Sequence, residues 1–131
     1  MPKPPLPAKL DELLAKPNPA VMATLKANGD PVSVATWYLW QDGRVLLNLD
    51  GERKRLEHLR NDPRVALTVL DEAGWDAHVS LQGRVASIED DPELTDIDRL
   101  CRHYHGEPYG NRERPRVSVW VDVDRWHAWR V

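Results

Sequence analysis

The 131-residue sequence lacks several features that would have placed it in a common class of protein. Its single cysteine, Cys101, excludes an internal disulfide and fits a reducing compartment. No apolar run approaches the roughly 20 residues needed to span a bilayer, and the N-terminus has no apolar signal-peptide core. We therefore expect a cytosolic (cytoplasmic) protein with no membrane partner.

Motifs of several catalytic classes are also missing. The chain has no G-x-S-x-G sequence for a serine nucleophile and no glycine-rich phosphate loop. Cys101, His103 and His105 lie close together, but their spacing matches no familiar zinc pattern, so no metal site is predicted. The 18 basic and 21 acidic residues give a net charge of −3, which disfavours nucleic acid as a partner.

Phenylalanine is absent, whereas there are six tryptophans. Aromatic side chains dominate protein cores, so most of these tryptophans should be structural. Trp37 and Trp75 are the two candidates for the wall of a ligand pocket.

The length is that of one domain, so we expect a single domain over residues 1–131, with the proline-rich residues 1–6 mobile.

Alternating apolar residues and turn signals predict a mainly β protein with short helices. Strands are expected over 20–26, 32–40, 44–49, 64–70, 75–88 and 117–123, with an edge strand or tail over 126–131. Helices are expected over 7–15, over 52–60 and from Asp91-Pro92-Glu93 onward. Hairpin connections without long parallel crossovers indicate an antiparallel barrel rather than a Rossmann fold.

The most informative segment is RVLLNLDGERKRLEHLRNDPR, residues 44–64. A strand ends at a turn, and three cations, Arg53, Lys54 and Arg55, follow at the start of a helix. Cations at this position repel one another and oppose the helix dipole, which favours anions there. The cluster makes sense if an anion, most simply a phosphate, completes it.

The alternative for these cations is a solvated helix start in which Glu52 and Glu57 pair with them. Arginine suits the anion-binding interpretation because its planar guanidinium can bond two phosphate oxygens at once. From the residues alone, the segment predicts an anion site and nothing more specific.

The order of the segments ATLKANGDPVSVATWY, LNLDGERKRLEHLRNDPRVALTV and VSLQGRV, after a short helix, resembles the split β-barrel flavin-binding family. That family includes pyridoxamine 5′-phosphate oxidases and reductases that use the deazaflavin coenzyme F420. The resemblance covers about residues 20–131 and is most specific at residues 53–64. Because the long insertions and extended C-terminal motif of the oxidases are missing, the chain is more similar to the small F420-dependent branch.

The resemblance implies an FMN-binding split barrel-like fold and a homodimer with sites at the subunit interface. The cofactor phosphate would bind Arg53 and Arg55, with Lys54 as a further candidate. The tricyclic ring would lie near Val34, Ala35, Thr36, Asn48 and Leu49. Residues near Trp75 and the C-terminal tail of the second subunit would complete the site. Asn48 could hydrogen-bond the ring or face water, and Thr36 has the same two possibilities.

The implied function is hydride transfer from reduced F420 to an electron-poor acceptor such as an unsaturated carbonyl, a lactone, a quinone or a tetrapyrrole-like molecule. The cofactor supplies this chemistry, which fits the lack of an acid–base pair. Thr36 or Tyr38 could stabilise negative charge on the acceptor. Two alternatives remain open: an FMN-dependent enzyme similar to pyridoxamine 5′-phosphate oxidase, and a protein that binds a flavin, a deazaflavin or haem without turnover.

Overall fold

The computed structural model describes residues 1–131 as a seven-stranded antiparallel sheet with three short helices. The elements are α1 Ala8–Leu14, β1 Ala20–Leu25, β2 Pro31–Thr36, β3 Leu39–Gln41, β4 Arg44–Asp50, α2 Lys54–Asn61, β5 Arg64–Leu70, β6 His78–Asp90, α3 Thr95–His105 and β7 Arg116–Trp129. None of the helices is long and apolar enough to cross a lipid bilayer.

The strand order in the sheet is β2-β1-β5-β6-β7-β4-β3. The two edge strands, β2 and β3, are consecutive in the chain and are separated only by Trp37 and Tyr38. This short connection brings the two edges of the curled sheet close together without hydrogen-bonding them. The predicted antiparallel split barrel is confirmed, with an opening between β2 and β3.

The inward side chains of β1, β4, β5, β6 and β7 fill the barrel, and two helices cover it. Leu13 and Leu14 of α1 and Leu56 and Leu59 of α2 are buried in this core. Their spacing places them on one face of each short helix, so tertiary packing holds helices that would be marginal alone. The anchored face of α2 fixes where the basic residues at its start can lie.

Two predicted strands have different bounds in the structure. The predicted strand 32–40 ends at Thr36 and resumes at Leu39 because Tyr38 turns into the core, where it is fully buried and its hydroxyl donates to Leu14 O at 2.9 Å. Residues 71–77, which include Trp75, form a hydrogen-bonded turn, so β6 begins only at His78.

The predicted strand 117–123 and the predicted tail 126–131 form one long strand, β7. The β6–β7 register shifts between Gln82 and Gly83, which leaves Asp124 without a partner. This bulge moves the inward-facing positions of β7 from odd to even residue numbers, so the alternation of apolar residues at odd positions ends at Val123.

The proline-rich N-terminal residues run beside β7. The backbone N–H of Trp126 donates to Pro2 O at 3.0 Å, and its indole N–H donates to Lys3 O at 3.3 Å. These bonds tie residues 2–3 to the barrel. The mobility of residues 1–6, like the single-domain organisation, stays a prediction.

Candidate functional site

A groove of about 510 Å³ lies beside the opening of the barrel. Five residues predicted from the sequence, Ala35, Thr36, Trp37, Asn48 and Arg55, line it together. The remaining lining residues are Pro17, Pro19, Ala20 and Tyr104. The structure thus brings the small residues of β2 and the basic turn after β4 to one cavity.

Arg55 is a half-buried guanidinium without a carboxylate partner. Its one side-chain hydrogen bond is a weak contact of 3.8 Å from Nη1 to the sulfur of Met22. Burial lowers the pKa of Arg55, and the positive charges of Arg53 and Arg116 lower it further. A partly desolvated cation beside like charges is electrostatically unfavourable, and a bound anion would offset that cost.

The start of α2 supports the same interpretation. Arg53 occupies the N-cap position, and no side chain caps the helix. Neither Arg53 nor Lys54 forms an ion pair, and both are exposed. Glu52 pairs instead with Arg114, at 3.1 Å. The alternative in which Glu52 and Glu57 neutralise the cations is therefore not what the structure shows.

Asn48 is buried in a network of polar side chains. Its amide nitrogen donates to Asp91 Oδ2 and to Ser118 Oγ, both at 3.1 Å. Asp91 in turn accepts hydrogen bonds from the backbone N–H groups of Asp96 and Ile97, which caps the start of α3. Asn48 therefore does not face water, and both of its amide hydrogens are used within the chain.

Arg116, at the start of β7, completes this network and was not predicted as a site residue. Its Nε donates to Asn48 Oδ1 at 2.9 Å, and its Nη2 donates to Asn48 O at 3.2 Å. The guanidinium lies 5.0 Å from the centre of the Tyr109 ring, a cation–π distance. Burial is the main cause that lowers the pKa of Arg116. Only the pairing of β4 with β7 places it beside Asn48, so the sequence carried no local signal for it.

Aromatic side chains form one wall of the groove. Trp37 stacks on Tyr104 with ring centres 5.5 Å apart and an interplanar angle of 15°. The Tyr104 hydroxyl donates to Asn18 O at 2.7 Å, and burial raises its pKa to about 12, so it stays protonated at neutral pH. Trp37 is a predicted pocket residue, whereas Tyr104 was not predicted as a site residue.

Several other predicted residues lie away from the groove, among them Val34, which packs against the core from β2. The Leu49 side chain is buried in the barrel core, which leaves only its backbone for a ligand. Trp75 is 71% exposed and does not line the groove of its own chain. The suggestion that Tyr38 stabilises charge on an acceptor is wrong, because its buried hydroxyl already donates to backbone carbonyls of the α1 end.

A second cavity, of about 490 Å³, adjoins the basic turn. It is lined by Asp50, Glu52, Arg53, Tyr109, Asn111, Arg114 and Arg116. Both carboxylates are paired with Arg114, and the hydrogen bond from that guanidinium lowers the pKa of Asp50 to about 2. Arg53 and Arg116 are the cations in this cavity that have no carboxylate partner.

Solved structures with this fold include three that cover nearly all of the chain. An F420 reductase superposes with a TM-score of 0.84 at 24% identity, covering 93% of this chain and 98% of its own. A conserved hypothetical protein from Mycobacterium tuberculosis gives 0.74 at 25% identity, covering 97% and 86%. General stress protein 26 from Bacillus anthracis gives 0.69 at 17% identity, covering 92% and 93%.

No curated protein matches this chain in sequence. The family model for pyridoxamine 5′-phosphate oxidase, in contrast, matches residues 6–130, which is nearly the whole sequence. Proteins of this type are flavin-binding oxidoreductases, and their split-barrel architecture is the one described above. The chain belongs to the pyridoxamine 5′-phosphate oxidase family.

Proposed function

We propose that this protein is an F420-dependent reductase that delivers hydride to an electron-poor small-molecule acceptor. The observation that carries the proposal is Arg55, a half-buried, unpaired guanidinium at one end of a groove with small and aromatic walls. Such a groove suits a planar ring, and such a cation suits the phosphate of its side chain. The similarity in fold to an F420 reductase favours F420 over other cofactors of this type.

The residues of this chain would hold the cofactor and shield it. Arg55 would bind the phosphate, with Arg53 and Lys54 adding positive charge at the start of α2. Ala35 and Thr36 would face the ring, because β2 presents both of them to the groove. When bound and reduced, F420 supplies the hydride, so the protein itself needs no acid–base pair.

Charge that develops on the acceptor would be stabilised by groups in the groove other than Tyr38. The Thr36 hydroxyl donates to Trp37 O at 3.0 Å, so it would have to rotate to donate to an acceptor instead. The rest of the wall, including Pro19 and Trp37, excludes water from the ring. We place the protein in the cytosol, where the free buried thiol of Cys101 would stay reduced.

Direct titration of the purified protein with F420 and with FMN tests the cofactor assignment. We expect micromolar affinity for F420 and weaker binding of FMN. Tighter binding of FMN would favour an FMN-dependent enzyme of the same family. Micromolar binding of neither would contradict the proposal. If F420 binds, oxidation of its reduced form by quinones and unsaturated lactones would separate a reductase from a protein that only carries the cofactor.

We also propose a homodimer in which the second copy completes each site. The outward face of β1, β5, β6 and β7 carries partly exposed apolar side chains, among them Val21 at 37% and Trp129 at 54% exposure. Trp75, at 71%, extends this surface, which monomers rarely leave uncovered.

Sedimentation equilibrium tests this arrangement. The expected mass is twice the 15.0 kDa of the chain. Val21→Lys, on the outward face of β1, should shift the mass toward the monomer, whereas Ala15→Lys, at the exposed end of α1, should not. A monomer at every concentration of the unmodified protein would contradict the homodimer.

A further inference from the structure

We infer that Arg116 is a second anion-binding residue of this site, and that the cavity it shares with Arg53 receives an anionic group other than the one bound by Arg55. That group is a carboxylate or a phosphate of the same ligand. The inference depends on the proposed function only for the identity of the ligand. The existence of a second anion site rests on the geometry of Arg116.

Arg116 is held in place by neutral partners alone. Two of its N–H groups donate to the side chain and the backbone of Asn48, and the Tyr109 ring covers one face of the guanidinium. Neither partner carries a charge that would neutralise it. The remaining N–H groups are available to a ligand in the cavity that Arg116 lines.

Buried polar groups hold Asn48, the hydrogen-bond acceptor of Arg116, in a fixed position. Asn48 can accept from Arg116 because its amide nitrogen is fixed by Asp91 and Ser118. Ser118 also donates to Asp96 Oδ2 at 2.7 Å, which links the network to the start of α3. Satisfied networks of this kind hold one arrangement of side chains, so the guanidinium is oriented before any ligand arrives.

The charges in the cavity are divided unevenly. Arg114 forms ion pairs with both Asp50 and Glu52, at 2.9 and 3.1 Å, so these three groups together keep one negative charge. Arg53 and Arg116 form no ion pair, and each contributes to lowering the pKa of Arg55. The carboxylates of Asp50 and Asp91 act on Arg116 only through space, where they oppose the lowering of its pKa by burial. The charged side chains that line the cavity thus carry one net positive charge.

Arg55 and Arg116 line two different cavities. Arg55 lines the groove, Arg116 lines the second cavity, and Asn48 connects them, since it lines the groove and bonds Arg116. A ligand that continues beyond the group bound by Arg55 would therefore reach Arg116. F420 continues past its phosphodiester into a chain of carboxylates, whereas FMN ends at its phosphate.

The test compares Arg116→Gln with the unmodified protein, using F420 and FMN as ligands. Affinity for F420 is expected to fall by about tenfold or more, because a charge-assisted bond is lost. Affinity for FMN should change by less than about twofold. Arg60→Gln is the matched control, since Arg60 is exposed on α2, forms no ion pair and lines neither cavity. Arg116→Lys, which keeps the charge, provides a second variant if the glutamine variant folds poorly.

A readout without cofactor separates this inference from the proposed function. Millimolar glutarate and inorganic phosphate are added in turn to the protein while the NMR signal of Arg116 Nε–H is followed, assigned by its loss in Arg116→Gln. Saturable shifts support the site, and the more effective anion identifies the group it prefers. If neither cofactor binds the unmodified protein, the proposed function fails and this titration alone decides the inference. Equal losses of F420 and FMN affinity in Arg116→Gln, or no loss for F420, or no NMR shift with either anion, would overturn it.

Discussion

Replacing Arg53 and Arg55 together with alanine is expected to remove micromolar F420 binding while leaving the barrel folded. Each charge-assisted hydrogen bond to the phosphate contributes about 1.5–3 kcal/mol, so the double variant should lose affinity by a factor on the order of 100 or more. Folding should be spared because α2 is anchored by Leu56 and Leu59, and neither arginine forms an ion pair. Titration by fluorescence, with thermal unfolding of the same samples, measures both effects.

Thermal unfolding of the double variant tests the same assignment without a ligand. Arg55 is partly desolvated beside two like charges, so its removal relieves repulsion as well as deleting a binding group. We expect the unfolding temperature of the apoprotein to stay the same or rise. Arg60→Ala is the matched control, an exposed arginine on the same helix without an ion pair, and it should leave F420 affinity unchanged. Equal affinity in the double variant and the unmodified protein would contradict the assignment.

Local sequence signals were sufficient for the basic turn and its surroundings. The apolar run of β4, the turn at Asp50-Gly51 and the leucines of α2 are all encoded within residues 44–64, and the structure forms each of them there. The cluster of cations could be located for the same reason, since three consecutive cations at a helix start create an unfavourable local charge, and the anion that would bind there stays a prediction. Hydrophobic periodicity and clusters of charged residues therefore predict structural features that depend on a single segment of the sequence.

Long-range partners could not be predicted in this way. Arg116 follows an irregular loop, and its role depends on a pairing that places Asp50 opposite Arg116 and Asn48 opposite Ser118. For Asn48 the sequence left contact with the ring and contact with water equally open, because its actual partners come from two distant segments, Asp91 before α3 and Arg116 and Ser118 of β7. The β propensity of the sequence alone would continue the strand through Tyr38. The strand is interrupted there because the Tyr38 hydroxyl hydrogen-bonds backbone carbonyl groups at the end of α1. Tertiary hydrogen bonds decided all of these positions.

Gly83 is the position where a single added methyl group is expected to destabilise the fold most. The β6–β7 bulge lies at this residue, and the two strands approach each other closely there. A Cβ atom at this residue would lie 2.1 Å from Asp122 O and 3.0 Å from a methyl group of Val121. The nearest atom belongs to the backbone of the neighbouring strand, so it cannot move aside as a flexible side chain would.

Gly83→Ala should therefore force β6 and β7 apart at the bulge. Overpacking of this kind costs about 3 kcal/mol, which a urea unfolding curve would record as a midpoint lowered by more than about 1 M.

Gly74→Ala is the matched control, because a Cβ there meets no atom within 4 Å. Both variants should be compared at one protein concentration, since dimerisation would make the midpoint concentration-dependent. Gly83 does not line the groove, so the alanine variant should still bind F420 wherever it remains folded. Equal midpoints for the two variants would show that the β6–β7 bulge can accommodate a side chain.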